Sequence, residues 1–154
     1  MGTFTPVKGY VSARVRVSAD VVPFRPNRGV AVTVTRLPEP HSSRAHDLFG
    51  WQDQVYIPHL LSRTGVAGVW TFSSQSTTLD RGAAGPPGNT TFDERATEPG
   101  EYRVLLAYLD RDPLDHAAAV REDPGPTSPY SDAEESILEG VLRAILPWQW
   151  GWFE

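Results

Sequence analysis

Hydrophobic residues recur along this chain with two spacings, one typical of strands and the other of helices. Apolar and polar residues alternate over residues 10–18, which predicts a half-buried strand. Residues 30–37 are β-branched almost throughout and predict a second, more central strand. Two further strands are predicted over residues 65–72 and 102–109, and the last of them has the best pattern.

The first predicted helix begins near Arg44, where Ser42 or Ser43 can cap it. Its apolar face is formed by residues at i, i+3 and i+7, namely Leu48, Trp51 and Val55. Pro58 interrupts this helix because proline has no amide hydrogen, and it pushes Ile57 toward an extended geometry.

Two more helices are predicted in the second half of the chain. One has Asp112 as N-cap and Pro113 as its first residue, and it runs to about Glu122. The other spans residues 131–146 and opens with a capping box whose ends are Ser131 and Glu134. Its apolar face consists of Ile137, Leu138, Val141, Leu142 and Ile145.

The order of these elements predicts one α+β domain. A β-α-β unit followed by a second β-α is the arrangement of a ferredoxin-like sheet with helices on one face. The strand before it is extra and can take the place of the missing last strand, and the helix after it is also extra. Three segments lie outside this frame: a loose lead-in over residues 1–9, a long loop or lid over 74–101, and an aromatic tail over 146–154.

Composition narrows the classes of partner. The chain has 154 residues, a net charge of −5 and no basic run, so nucleic acid and anionic membranes are not expected partners. It contains no cysteine, which excludes thiol catalysis and zinc–thiolate sites. Neither a secretory signal nor a stretch of about 20 apolar residues is present, so a cytoplasmic location is expected.

One segment resembles a known family. The run Trp51-Gln52-Asp53-Gln54-Val55-Tyr56-Ile57-Pro58, followed by Gly65-Val66-Ala67-Gly68, is similar to the first helix and glycine-rich strand of EthD-like proteins. These belong to the dimeric α+β-barrel superfamily, and residues 102–122 resemble the second half of its fold. The resemblance implies a homodimer with a pocket for a hydrophobic small molecule. Tyr56 stands where that family carries a histidine, so histidine chemistry at this position is not implied.

Several residues are candidates for the site. Tyr56 can orient or protonate a substrate oxygen, and His59 can act as a base whose tautomer is held by Asp53. His46 is a second candidate base, whereas His41 and His116 are expected to be bystanders. The candidates for an apolar substrate-binding wall are Trp51, Trp70, Phe72 and Tyr108. Surface or core positions remain the alternative for most of these residues, and no metal or cofactor site is predicted, because no ligand set or nucleotide fingerprint is present.

The expected function is therefore cofactor-independent acid/base chemistry, such as cyclisation, isomerisation or dehydration, on a hydrophobic and oxygenated substrate. The resemblance implies that polyketide cyclases and cofactor-independent monooxygenases are among the similar enzymes. The alternative is a non-catalytic ligand-binding or assembly protein of the same fold, whose aromatic tail docks a partner.

Overall fold

The computed structural model describes residues 4–75 and 100–144. The strands are β1 (Thr5–Val11), β2 (Gly29–Leu37), β3 (Val66–Gln75), β4 (Glu101–Leu109) and β5 (Glu135–Arg143). The helices are α1 (Ser43–Trp51), α2 (Ile57–Ser62) and α3 (Pro113–Glu122). A π-helical turn (Gln52–Tyr56) joins α1 to α2, and two 3₁₀ turns (Ala19–Phe24 and Ser131–Ala133) lie in the connections.

The five strands form one open antiparallel sheet in the order β1-β3-β4-β2-β5. From β2 to β5 the chain follows the order β-α-β-β-α-β, so it is compatible with the predicted ferredoxin-like arrangement. The α+β class is confirmed, and an additional strand precedes this unit, although at other residues than predicted. Among the described residues, no helix is long and apolar enough to cross a membrane.

The main core lies between the sheet and the helices. Ile57 and Leu60 of α2 pack against Val66, Val69 and Leu109, which point from β3 and β4 to the same face of the sheet. Each of these side chains is at most 7% exposed. Burying one such aliphatic side chain stabilises the fold by about 1.5–3 kcal/mol, so this contact fixes α2 on the sheet.

The C-terminal helix predicted over residues 131–146 is wrong, because most of this segment forms β5. β5 pairs with β2 from Gly29↔Arg143 to Arg36↔Glu135, with one irregularity in register. The helical spacing of its apolar residues is a local signal, whereas pairing satisfies the backbone groups of an otherwise open edge of β2. Ile137, Leu138 and Leu142 are each more than half exposed in this strand.

The first strand also lies elsewhere than predicted. β1 covers Thr5–Val11, so most of the segment expected to be a loose lead-in belongs to the sheet, and the predicted strand over 10–18 keeps only its first two residues. β1 pairs with β3, and the amide of Ser12 donates to the carbonyl of Ala67. β3 begins at Val66, so no partner strand continues opposite residues 13–18 despite their alternating pattern.

The remaining strands and α3 follow the predicted bounds closely. Asp112 caps α3, since its Oδ1 accepts from the amide of Leu114 at 2.9 Å. The predicted loop over 74–101 loses its first two residues to β3 and its last to β4. The rest of that loop, except Gly100, and the aromatic tail over 146–154 lie outside the described residues.

Candidate functional site

The helix that faces the sheet changes its winding at Tyr56. The amide of Ile57 donates to the carbonyl of Gln52, five residues back, instead of the residue four back. Pro58 explains the change, since its ring would crowd the carbonyl four residues before it in a regular α-helix and it has no amide to donate. Ile57 has φ −65° and ψ −45°, so it is helical, and the predicted extended geometry is wrong.

The π-helical turn aligns two aromatic residues. Trp51 and Tyr56 are five apart, which is out of phase in an α-helix of about 3.6 residues per turn but close to one turn of a π-helix. Their rings stack with centroids 5.7 Å apart and planes 18° apart. Val55, predicted on the inner face, is 42% exposed instead. Turns of this kind are frequent at functional sites.

A cleft lies between the helices and the sheet, and it consists of two adjoining cavities. The smaller, of about 220 Å³, is bordered by Trp51 and Arg103. The larger, of about 390 Å³, is bordered by His116 and Val120 of α3. Tyr56 borders both cavities and therefore stands where they meet.

A proline-rich segment forms the outer wall of the cleft. Pro124 borders the larger cavity and Pro126 the smaller one. The guanidinium of Arg63, just after α2, donates to the carbonyl oxygen of Asp123 and so ties this segment to the helix. Gly125 has φ +82°, and a Cβ there would lie 2.5 Å from Nε2 of His59. His59 therefore packs beneath the wall and beside Arg63, at 3.2 Å, rather than lining the cleft.

The larger cavity holds two groups with opposite pKa shifts. Burial raises the pKa of Tyr56, and the carboxylate of Glu139 raises it further. Burial lowers the pKa of His116, and the positive charge of Arg63 adds to the effect. At neutral pH, Tyr56 thus keeps its proton and His116 stays without a charge. One is a potential acid and the other a potential base.

His116 was expected to be a bystander on a solvated face, and the structure contradicts this. Its residue is only 8% exposed, and its side chain borders the larger cavity. The spacing of Pro113, His116, Ala117 and Val120 is i, i+3, i+4 and i+7, the inward stripe of an amphipathic helix. That spacing was the sequence signal that could have found it.

The smaller cavity contains a cation. Arg103 lies on β4, and its guanidinium carbon sits 3.7 Å from the centre of the Phe49 ring. Burial lowers the pKa of Arg103. Glu134, which follows the 3₁₀ turn before β5, borders the same cavity, and burial raises its pKa. No local sequence pattern points to either residue. Arg103 reaches the cleft through the pairing of β4 with its neighbours, and Glu134 reaches it because it follows a turn.

The other predicted candidates are dispersed. Asp53 accepts from Nζ of Lys8 at 3.0 Å and from the hydroxyl of Tyr10, so it ties the π-helical turn to β1. His46 is exposed on α1. The structure brings neither of them to the lining of the cleft.

Three of the predicted wall residues lie on the opposite face of the sheet. Thr71 borders the cleft, so its neighbours Trp70 and Phe72 point the other way, because side chains alternate along a strand. Tyr108 likewise follows the buried Ala107 and precedes the buried Leu109 of β4. Nε1 of Trp70 donates to the carbonyl of Ala19, which places the first 3₁₀ turn over that face.

These features define an α+β protein with an open antiparallel sheet and a small-molecule-sized cleft under its helices. In the part of the chain that the structure covers, no group of three or more His, Asp and Glu side chains converges as a metal site. No protein family, curated protein or solved structure matches the chain. The cleft itself is therefore the basis for a functional assignment.

Proposed function

We propose that the cleft binds a hydrophobic, oxygenated small molecule and that the protein is an enzyme transferring protons within it. The observation that carries the proposal is the pair Tyr56 and His116, which border one cavity with pKa values moved in opposite directions. Pairs of groups separated in this way are typical of acid/base assignments in active sites.

In this proposal Tyr56 donates a hydrogen bond to a carbonyl oxygen of the substrate, and His116 removes a proton from the adjacent carbon. The Tyr56 hydroxyl stabilises the oxygen of the resulting enolate. The enolate then attacks a second carbonyl through carbon to close a ring, is reprotonated at another carbon to shift a double bond, or expels a β-hydroxyl. In each case the imidazolium of His116 returns its proton, to the new alkoxide, to the carbon or to the departing hydroxyl. Cyclisation, isomerisation and dehydration share this first step. His116 takes the role of base because it borders the cavity, whereas His46 and His59 do not.

The apolar floor of the cavity suits such a reaction. Leu60, Leu105, Ala107 and Val141 contribute side chains without competing acceptors. Apolar surroundings of this kind lower the local polarity and strengthen the hydrogen bond from Tyr56 to an enolate oxygen.

The proposal includes a homodimer through the other face of the sheet. That face is apolar on β2, β4 and β5, and no side chain on it is fully buried by the described residues; its members are Val30, Val32, Val34, Val104, Leu106, Leu138 and Leu142. Contiguous apolar surface of this kind is typical of protein interfaces. A second copy offers an identical apolar sheet, which is the arrangement expected for a dimeric α+β barrel.

The enzyme is tested by proton exchange. Small molecules extracted from the purified protein are identified by mass spectrometry, and the candidate is incubated with the protein in heavy water. We expect deuterium to be incorporated at the carbon next to a carbonyl, and NMR measures the rate. This rate should fall about 100-fold or more in Tyr56→Phe and in His116→Asn. Binding without exchange or turnover in the wild type would replace the enzyme with the alternative, a ligand-binding protein.

The homodimer has its own test. Sedimentation of the wild type at micromolar concentration is expected to give a dimer. Leu106→Glu places a charge on the apolar sheet face and is expected to give a monomer. Leu114→Glu is the matched control, since Leu114 is 64% exposed on α3 and lies away from that face. A monomeric wild type would contradict the dimer and leave the assignment of the cleft in place.

A further inference from the structure

The smaller cavity of the cleft contains a cation, Arg103, whose N–H groups have no hydrogen-bond acceptor among the described residues. Arg103 is on the helix-facing side of β4, opposite Thr35 of β2 and Ser73 of β3. Its guanidinium stacks on Phe49, and stacking on a ring leaves the N–H groups at the edge of the guanidinium without acceptors. No hydrogen bond or ion pair within residues 4–75 and 100–144 involves this side chain.

Three carboxylates, those of Glu101, Asp53 and Glu134, attract Arg103 electrostatically, but none of them accepts a hydrogen bond from it. Asp53 is held by Lys8 and Tyr10. Glu134 is hydrogen-bonded to Thr35, and burial raises its pKa while the charge of Arg103 lowers it. Burial removes water from the guanidinium, and stacking on Phe49 offsets this only in part, because the N–H groups at its edge stay without acceptors. An anionic group in the cavity would remove this imbalance.

We propose that the substrate is a monocarboxylic acid whose carboxylate pairs with Arg103 while its apolar body extends past Tyr56 into the larger cavity. This inference rests on the proposed function and specifies its substrate class. A carboxylate fits the planar fork of a guanidinium with two parallel hydrogen bonds. Among the described residues that border the smaller cavity, Arg103 is the one cation, which matches one negative charge, and a phosphate dianion would lack a second.

The order of groups along the cleft supports an elongated acid. The carboxylate end lies beside Trp51 and Arg103, and Tyr56 stands between the two cavities. The larger cavity offers apolar contact through Ala117 and Val120 of α3, beside the charged side chains of Arg63, Arg121 and Glu139. Pairing with Arg103 thus determines where the carbonyl group of the substrate lies relative to Tyr56 and His116.

The test uses two probes of the same shape, the naphthoate anion and its methyl ester, titrated by fluorescence. The wild type is expected to bind the acid about 10-fold tighter than the ester, or more. Arg103→Met keeps the aliphatic stem and is expected to abolish this preference while the affinity for the ester stays within about twofold. Arg16→Met is the control, because Arg16 is exposed and borders neither cavity, so the preference should stay unchanged.

Arg103→Lys keeps the positive charge but loses the planar guanidinium, so it is expected to retain only part of the preference for the acid. With this second variant, the test does not depend on whether Arg103→Met folds. Equal binding of both probes by the wild type, or a preference that survives in Arg103→Met or disappears in Arg16→Met, would overturn the inference and leave the cleft as a binding site. Failure of both probes to compete with the extracted ligand would overturn the inference together with the proposed site.

Discussion

Replacing Gly125 with alanine tests whether the outer wall of the cleft is built on His59. Gly125 has φ +82°, a conformation in which a Cβ costs about 1–2 kcal/mol. The new methyl group would also lie 2.5 Å from Nε2 of His59 and force the ring to move. Displacing that ring weakens its contact with Arg63, which is worth about 0.5–1.5 kcal/mol. We therefore expect a total loss of about 1.5–3.5 kcal/mol in the free energy of unfolding.

Gly50→Ala is a matched control, for which the opposite change in stability is expected. Gly50 lies in α1, and a Cβ there would meet nothing within 4 Å. Gly50→Ala should stabilise the protein by about 0.5–1 kcal/mol, because glycine is unfavourable inside a helix. Urea unfolding followed by tryptophan fluorescence measures both variants, with the slope of the transition compared to check that the unfolded states are alike.

A double-mutant cycle separates the two contributions at Gly125. In a His59→Ala background the clash is gone, so Gly125→Ala should cost only the backbone term of about 1–2 kcal/mol. The reasoning fails if Gly125→Ala and Gly50→Ala change stability in the same direction. It also fails if the cost at Gly125 is identical with and without the imidazole of His59.

Three further outcomes follow from burial, capping and titration. Leu109→Ala should lose about 2–5 kcal/mol of unfolding free energy, because Leu109 is fully buried. Leu114→Ala, on the exposed side of α3, is the control and should change it by less than about 0.5 kcal/mol. Urea unfolding compares the two variants. Ser42→Ala should lose about 1 kcal/mol of unfolding free energy, because Ser42 Oγ accepts from the amide of Ala45 at 3.1 Å and caps α1. Ser43→Ala is the control and is expected to unfold at the same temperature as the wild type. The pKa of His116 is lowered from 6.5 in the folded state, so on acidification the unfolded state binds the proton first. The free energy of unfolding should therefore fall as the pH drops below 6.5. His116→Asn should flatten this part of a plot of stability against pH, and an unchanged slope would contradict the assignment.

Elements with strong local signals were predictable from the sequence. The β-branched run of β2, the alternating pattern of β4 and the N-cap of α3 each report their structure within a few residues. β5 carried a helical spacing, and only its pairing with β2 decides that it is a strand. β1 was misplaced for a similar reason, since its bounds are set by where β3 begins.

The site depended on two kinds of information. Tyr56 could be singled out from a motif, but its position beside Trp51 follows from a π-helical turn that no α-helical periodicity predicts. Arg103 and Glu134 enter the cleft through strand register and a turn, which the sequence does not express locally. His116 was recoverable from helical spacing alone, and its polar character led to its assignment as an exposed residue.

Several irregular features of the described structure lie on the helical side of the sheet. The π-helical turn, the positive φ of Gly125, the guanidinium of Arg103 without a hydrogen-bond acceptor and the buried imidazole of His116 all border or support the same cleft. A polar group that loses water without a compensating hydrogen bond carries a cost in folding free energy. The other face is formed on β2, β4 and β5 by apolar side chains that are not fully buried. This contrast supports the proposed ligand site on the helical side and the proposed dimer contact on the other face, to which Trp70, Phe72 and Tyr108 also belong.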